Sequence, residues 1–243
     1  MKTTTASTMS SAQQAVDSAI TSRRSIRAFT QQPVAHDLIV DILQVARYAA
    51  SSTNCQPWKV YVLQGDSRKD LVNKVCQAHD SMGQFSDDEK KSWKSHAIKG
   101  VPDEWISPFR ERRRVDGLGL YSLLGVTKDN MPERHRLQQR NYRFFDAPVG
   151  LILTIDKVAP DSWLLDYGMF MQSIALAAGV RGLDTCFQGA WGGFSHIVMP
   201  HIGAGENEKL VNGIALGYSD TGHLINSHTT TREPVDSFTT WLK

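Results

Sequence analysis

The chain carries Arg23-Arg24-Ser25-Ile26-Arg27-Ala28-Phe29 and, one amphipathic helix later, Ser51-Ser52-Thr53-Asn54-Cys55-Gln56-Pro57-Trp58. Three guanidiniums and a serine hydroxyl within five positions suit a doubly charged phosphate, because each planar guanidinium can meet two phosphate oxygens at once. The second stretch is a polar loop with two side-chain amides, Asn54 and Gln56. Amides both donate and accept hydrogen bonds, so they can read the polar edge of a flat heterocycle. A phosphate clamp and a ring-reading loop together call for a cofactor with a phosphate at one end and a planar ring at the other. Flavin mononucleotide (FMN) has that shape. Each stretch also has a plainer reading. Basic residues at a helix end complement the helix dipole, and Asn, Ser and Pro are ordinary turn formers.

Around these two stretches the periodicity alternates. Ala12, Ala15, Val16, Ala19 and Ile20 recur at helical spacing behind Ser10 or Ser11 as cap. A second helix spans 37–50, with Leu38, Ile42, Val45, Ala46 and Ala49 as its buried stripe. Residues 58–64 alternate as a strand, and 68–79 read as a helix. From 80 to 140 the chain is highly charged and broken by Pro102, Pro108 and Pro132. Its apolar content is too sparse for a core of its own, so it reads as a helical excursion. Regular structure is expected to return at Asn141, and 149–155 is continuously apolar, as in a strand buried on both faces. A long buried helix over 161–180 follows, then an extended stretch over 183–189, glycines at 189, 192 and 193, a helical turn over 195–201 and a last core strand over 210–218. This order lacks the strict alternation of a doubly wound sheet and points to an α+β fold. The 161–180 helix is apolar enough to need cover on every side, which favours a homodimer.

The bulk properties narrow the function classes. The 243 residues are 41% hydrophobic and 21% charged, with 27 basic and 25 acidic side chains giving a net charge of +2. No global field favours nucleic acid or an anionic membrane, and no run of 18 apolar residues suggests a membrane span. Residues 1–10 read as a disordered lead-in without the apolar core of a signal peptide. Three widely spaced cysteines, Cys55, Cys76 and Cys186, argue against a disulfide framework and for a reducing, cytoplasmic setting.

The chain resembles the nitroreductase family, FMN-dependent flavoproteins that usually form homodimers, and within it the branch acting on nitrobenzoate and other nitroaromatics. The resemblance rests on four pieces in order: Arg23 to Phe29; Ala50 to Trp58; Phe144-Phe145-Asp146-Ala147-Pro148-Val149 with the Gln172-bearing helix after it; and Ile214-Ala215-Leu216-Gly217-Tyr218 with the late Arg232 before Pro234. Ser51 stands where the family often has proline. The resemblance implies one nitroreductase-like domain over 1–243, a mixed central sheet surrounded by helices, and an intertwined homodimer. It assigns Arg23, Arg24, Ser25, Arg27 and Arg232 to the phosphate and ribityl chain, and Ser51, Ser52, Asn54 and Gln56 to the ring, often across the dimer interface. Gln172 joins the cofactor-binding set, and Gln188-Gly189 would bring backbone close to the flavin's reactive nitrogen, where glycine permits close approach. Trp58 reads as core, and Cys186 as a small buried hydrophobe.

NADH or NADPH would give a hydride to FMN, then leave, and a nitroaromatic or quinone-like acceptor would enter the same space, a ping-pong sequence. The flavin carries that chemistry, so no catalytic side chain is required. Residues 80–140 would act as lid and acceptor selector, their arginines favouring an acidic acceptor. The same fold also serves flavin reductases, reductive dehalogenases and dehydrogenases. A nucleic-acid-binding role for Arg110 to Arg114 is the non-enzyme alternative. Other motifs fail. Gly117-Leu118-Gly119 lacks a preceding strand and a third glycine, no Gly-x-Ser-x-Gly elbow appears, and His196 and His201 have no ligand-spaced companion for a metal.

Overall fold

Ser10 caps the first helix. Its hydroxyl accepts the Gln13 amide while the Gln13 side chain accepts the Ser10 amide, a reciprocal box that starts α1 at Ser11–Ser22. The structure is a computed structural model describing residues 10–242. Apart from Ser10, the expected lead-in lies outside the described residues. There follow α2 (His36–Ala46), β1 (Lys59–Leu63), α3 (Gly65–Asp80), α4 (Asp87–Ser92), α5 (Phe109–Leu123), α6 (Met131–Gln139), β2 (Val149–Asp156), α7 (Trp163–Gly179), β3 (Asp184–Gln188), α8 (Ser195–His201) and β4 (Glu208–Gly217).

The strands form one sheet in the order β1-β2-β4-β3, and every neighbouring pair is antiparallel. Parallel pairing enters through single bridges, Ser25 with Thr185 and Ala97 with Leu210. Residues 149–155 are buried without exception because β2 is central and both faces are covered. Leu151, Leu153 and Ile155 meet α2 and α7 on one face, while Ile152 faces α3, α8 and an aromatic group on the other. Burying each such side chain contributes about 1.5–3 kcal/mol. The aromatic group requires glycine in the sheet. A Cβ at Gly213 would lie 2.2 Å from Trp191, and one at Gly150 2.4 Å from Phe144.

Three details differ from the sequence expectations. In α2 the buried residues are Ile39, Ile42 and Ala46, while Val45 is 49% exposed. Leu38 and Ala49 pack partly buried against the same core cluster, so Val45 is the one member of the expected stripe that turns outward. Arg140–Asp146 is not regular structure but two 3-10 turns joined where Phe144, Phe145 and Asp146 take left-handed φ of 53°, 51° and 69°, an uncommon conformation for side-chain-bearing residues. That reversal drops the Phe144 ring beneath Gly150. Finally, α7 is not covered all round in one protomer. Tyr167, Phe170 and Ile174 are buried, but Leu165 is 72% and Val180 65% exposed.

Within 80–140, the helices α4, α5 and α6 bury no residue. The segment is fastened instead by Trp93, which stacks on His196 at 4.7 Å, and by Ile98 and His96, which pair with Leu210 where β3 has stopped. Among the described residues, no helix is long and apolar enough to cross a membrane.

Candidate cofactor site

Residues 25–30 run along the edge of β3. Ser25 bridges Thr185, the Ile26 amide donates to Thr185 O at 3.1 Å, and the Thr30 amide donates to Tyr218 O at 2.9 Å. This line places Arg23, Arg24, Ser25 and Arg27 on the wall of a cavity of about 460 Å³, and Arg232 closes it from the far end of the chain. No carboxylate lines the cavity, and the arginine salt bridges among the described residues belong to Arg110, Arg112, Arg136, Arg140 and Arg143. Four guanidiniums left without counter-charge around one space fit a phosphate.

The four are not equivalent. Arg24 turns its Nη2 onto the carbonyls of Asn226 and His228, the latter at 2.7 Å, and its Nε is buried without a partner. It holds the tail against the cavity as well as lining it. Arg232 curls onto Thr230 and Thr231 of its own loop. Asn226 completes the frame. Its Oδ1 accepts the Arg27 amide at 2.8 Å, and its Nδ2 donates to Ala28 O at 2.8 Å and Asp220 O at 2.9 Å. Asn226 and His228 were missed in the sequence, since no spacing links them to residues some two hundred positions earlier.

From Thr185, β3 leads to Gln188 and Gly189. Three strand residues span about 10 Å, a distance suited to a ribityl chain between phosphate and ring. The Gln188 side chain is committed inside the protein. It donates to Asn141 O at 2.7 Å and accepts Trp191 Nε1 at 3.4 Å, while its amide donates to Asn212 Oδ1 at 3.0 Å. Gly189 is exposed with open space where a Cβ would stand, so its backbone is the approachable group. Cys186 is buried between them. Burial pushes its thiol up to about 11 despite Arg27 and Arg23 nearby, so it remains protonated.

The amide loop lies elsewhere. Ser51 Oγ accepts the Gln56 amide at 3.1 Å, and the Gln56 side chain donates to Asn54 O at 3.1 Å. The Ser52 amide donates to Asp166 Oδ2 at 3.1 Å, which pins the loop to the first turn of α7. Thr53, Asn54 and Gln56 hold left-handed φ of 48°, 59° and 47°, and Ser52, Asn54 and Gln56 face solvent. Arg23 and Arg24, by contrast, share a cleft with Gly179 and Val180 at the last turn of α7. Thirteen helical residues separate Asp166 from Gly179, about 20 Å along the axis. Gln172 lies between, half-buried. One protomer thus gathers the arginines and Ser25 on one cavity, places Gln188 and Gly189 at the far end of β3, and holds the Ser51 to Gln56 loop at the opposite end of α7.

The model of the family described as "Nitroreductase family" matches residues 20–218. The chain belongs to the nitroreductase family. Among similar nitroreductases, a 4-nitrobenzoate reductase of Nocardioides sp. (strain LMS-CY) is 37% identical over 94% of this chain and 90% of its own length. A chloronitrobenzene nitroreductase of Comamonas testosteroni is 33% identical over 93% of this chain and 96% of its own. A crystal structure of the FMN and NADPH-dependent nitroreductase NfnB from Sphigopyxis sp. strain HMH superposes with a TM-score of 0.85 at 31% identity, covering 94% of this chain and 99% of that one. The arginine cavity therefore sits in a family fold, and the likeness runs through the 80–140 excursion as well.

Proposed function

We propose that this nitroreductase binds FMN, accepts hydride from NADH or NADPH, and reduces nitroaromatic acceptors. The observation that carries the reading is the cavity lined by Arg23, Arg24, Arg27 and Arg232 without a carboxylate. Bound there, FMN would supply hydride transfer from the nicotinamide and, once that donor has left, to the acceptor. The protein's part is positional. Ser25 and the arginines fix the phosphate, Asn226 and Arg24 fix the wall, and the Gly189 backbone comes up to the ring.

The ring loop supports a homodimer. About 20 Å of α7 separates the turn that holds the loop from the turn beside Arg23 and Arg24, so the loop serves the partner's FMN rather than its own. The open face of α7 with α2, bearing Val45, Tyr48, Leu176 and Val180, forms an apolar groove that a second copy would cover. An antiparallel pairing there brings each loop to the partner's phosphate end, so two sites form per dimer. The chain then acts as one domain, with 80–140 as a lid. Through Arg112 and Arg113, α5 lines with Arg232 a cavity of about 880 Å³, but Glu111, Asp116 and Glu233 share the lining and Glu233 pairs with Arg112, so the cavity offers no net positive charge to an acidic acceptor. Three free cysteines fit a reducing cytoplasm.

Anaerobic titration tests the reading. The purified protein should be yellow, bleach on NADH or NADPH, and recover its colour on 4-nitrobenzoate or nitrobenzene. A colourless protein that takes up no FMN contradicts it.

A further inference from the structure

His79 and Asp80 close α3, and His135 stands on α6, 55 residues later in sequence. Each offers a ligand atom, and those atoms all lie within 4.8 Å of one another. His79 is 5% exposed, and its Nδ1 is buried with no hydrogen-bond partner. Its ring packs against His135 at 4.1 Å and Tyr142 at 5.1 Å between centroids, so the neighbours are aromatic faces, not acceptors. Buried polar nitrogens are nearly always satisfied by something. His135 Nε2 lies 2.7 Å from Asp80 Oδ1, and Gln139, one turn further along α6, donates to the same oxygen at 2.6 Å.

We propose that His79, Asp80 and His135 form a site for one divalent ion of the zinc type. Two imidazoles and a carboxylate select zinc and its neighbours over magnesium or calcium, which prefer all-oxygen sites. A tetrahedral ion about 2.1 Å from each ligand sets the ligand atoms about 3.4 Å apart. His135 is half-exposed, so its ring can shift to exchange the direct contact with Asp80 for an ion between them, and water completes the sphere. The ion ties α6 to α3 and thereby fastens the 80–140 segment to the core. This site is remote from the arginine cavity in the lining residues and does not depend on the flavin reading.

The test is isothermal titration of Zn2+ into tag-free, chelator-treated protein carrying its usual cofactor. One ion per chain with a Kd of micromolar or below is expected. His135→Ala and Asp80→Asn, both at exposed positions, should each weaken binding at least tenfold, and Zn2+ should slow proteolysis within 80–140 in the parent but not in His135→Ala. Binding no tighter than millimolar, or equal affinity in the parent and His135→Ala, overturns the proposal.

Discussion

Glu208 opens β4 as a buried carboxylate held by four donors: Thr154 Oγ1, Lys59 Nζ at 2.9 Å, Tyr61 Oη at 3.0 Å and the Gly205 amide at 3.1 Å. Burial alone would raise its pKa, but the hydrogen bonds from Thr154, Lys59, Gly205 and Tyr61 outweigh burial and bring it down to about 2. A folded pKa below the unfolded value of 4.5 stabilises the fold above that pH. The contribution, about 3 kcal/mol, is lost as pH falls from 4.5 toward 2. Thermal melts across this window should show Glu208→Gln less stable than the parent at pH 7 but less sensitive to acid. Parallel pH curves for the two proteins would count against this network. At the same scale, Arg24 has a structural task beside the phosphate contact proposed for it. Its position in the arginine cluster was legible from spacing. Its grip on Asn226 and His228 was not, because those carbonyls arrive by tertiary folding.

At the scale of elements, β2 was legible because an unbroken apolar run has few other places to go than the middle of a covered sheet. The clustering of Arg23, Arg24, Ser25 and Arg27 was visible because four polar positions fall within five residues, and the structure puts all four on one cavity wall. The expected α2 stripe holds at Ile42 and Ala46, with Leu38 and Ala49 partly buried against the core, and departs at Val45. Val45 is apolar yet exposed because it faces neither the sheet nor α7's buried side; it borders the groove shared with Val180. Apolar periodicity cannot separate a face buried within the chain from one buried by a second chain. If that groove is a dimer interface, Val45→Asp, away from the arginine cavity, places a charge in an apolar contact, a cost of several kcal/mol. Sedimentation should then show the dimer dissociation constant raised roughly a hundredfold or more, with loss of FMN at the same concentrations. A monomer that holds FMN as tightly as the parent would detach the cofactor site from the interface.

Across the whole molecule, α7 acts as a ruler between the two halves of the proposed site. Its last turn lies by Arg23 and Arg24, its first turn by the Ser51 to Gln56 loop, and the sheet fixes both. The order of motifs in the sequence showed which residues could hold phosphate and ring, but not that one chain keeps them apart. That separation follows from helix length, which a motif does not encode. Under the proposed reading it gives the fold a reason to pair, since each FMN would take its phosphate contacts from one protomer and its ring contacts from the other.

The most direct measurement mixes two damaged chains, one carrying Arg23→Ala with Arg27→Ala, the other Asn54→Ala with Gln56→Ala. Each homodimer should bind FMN weakly. If sites are shared between protomers, the heterodimer contains one site built from the intact arginines of one chain and the intact loop of the other. One tightly held FMN per heterodimer is the predicted result. Heterodimers that bind FMN no better than either damaged homodimer would contradict the account.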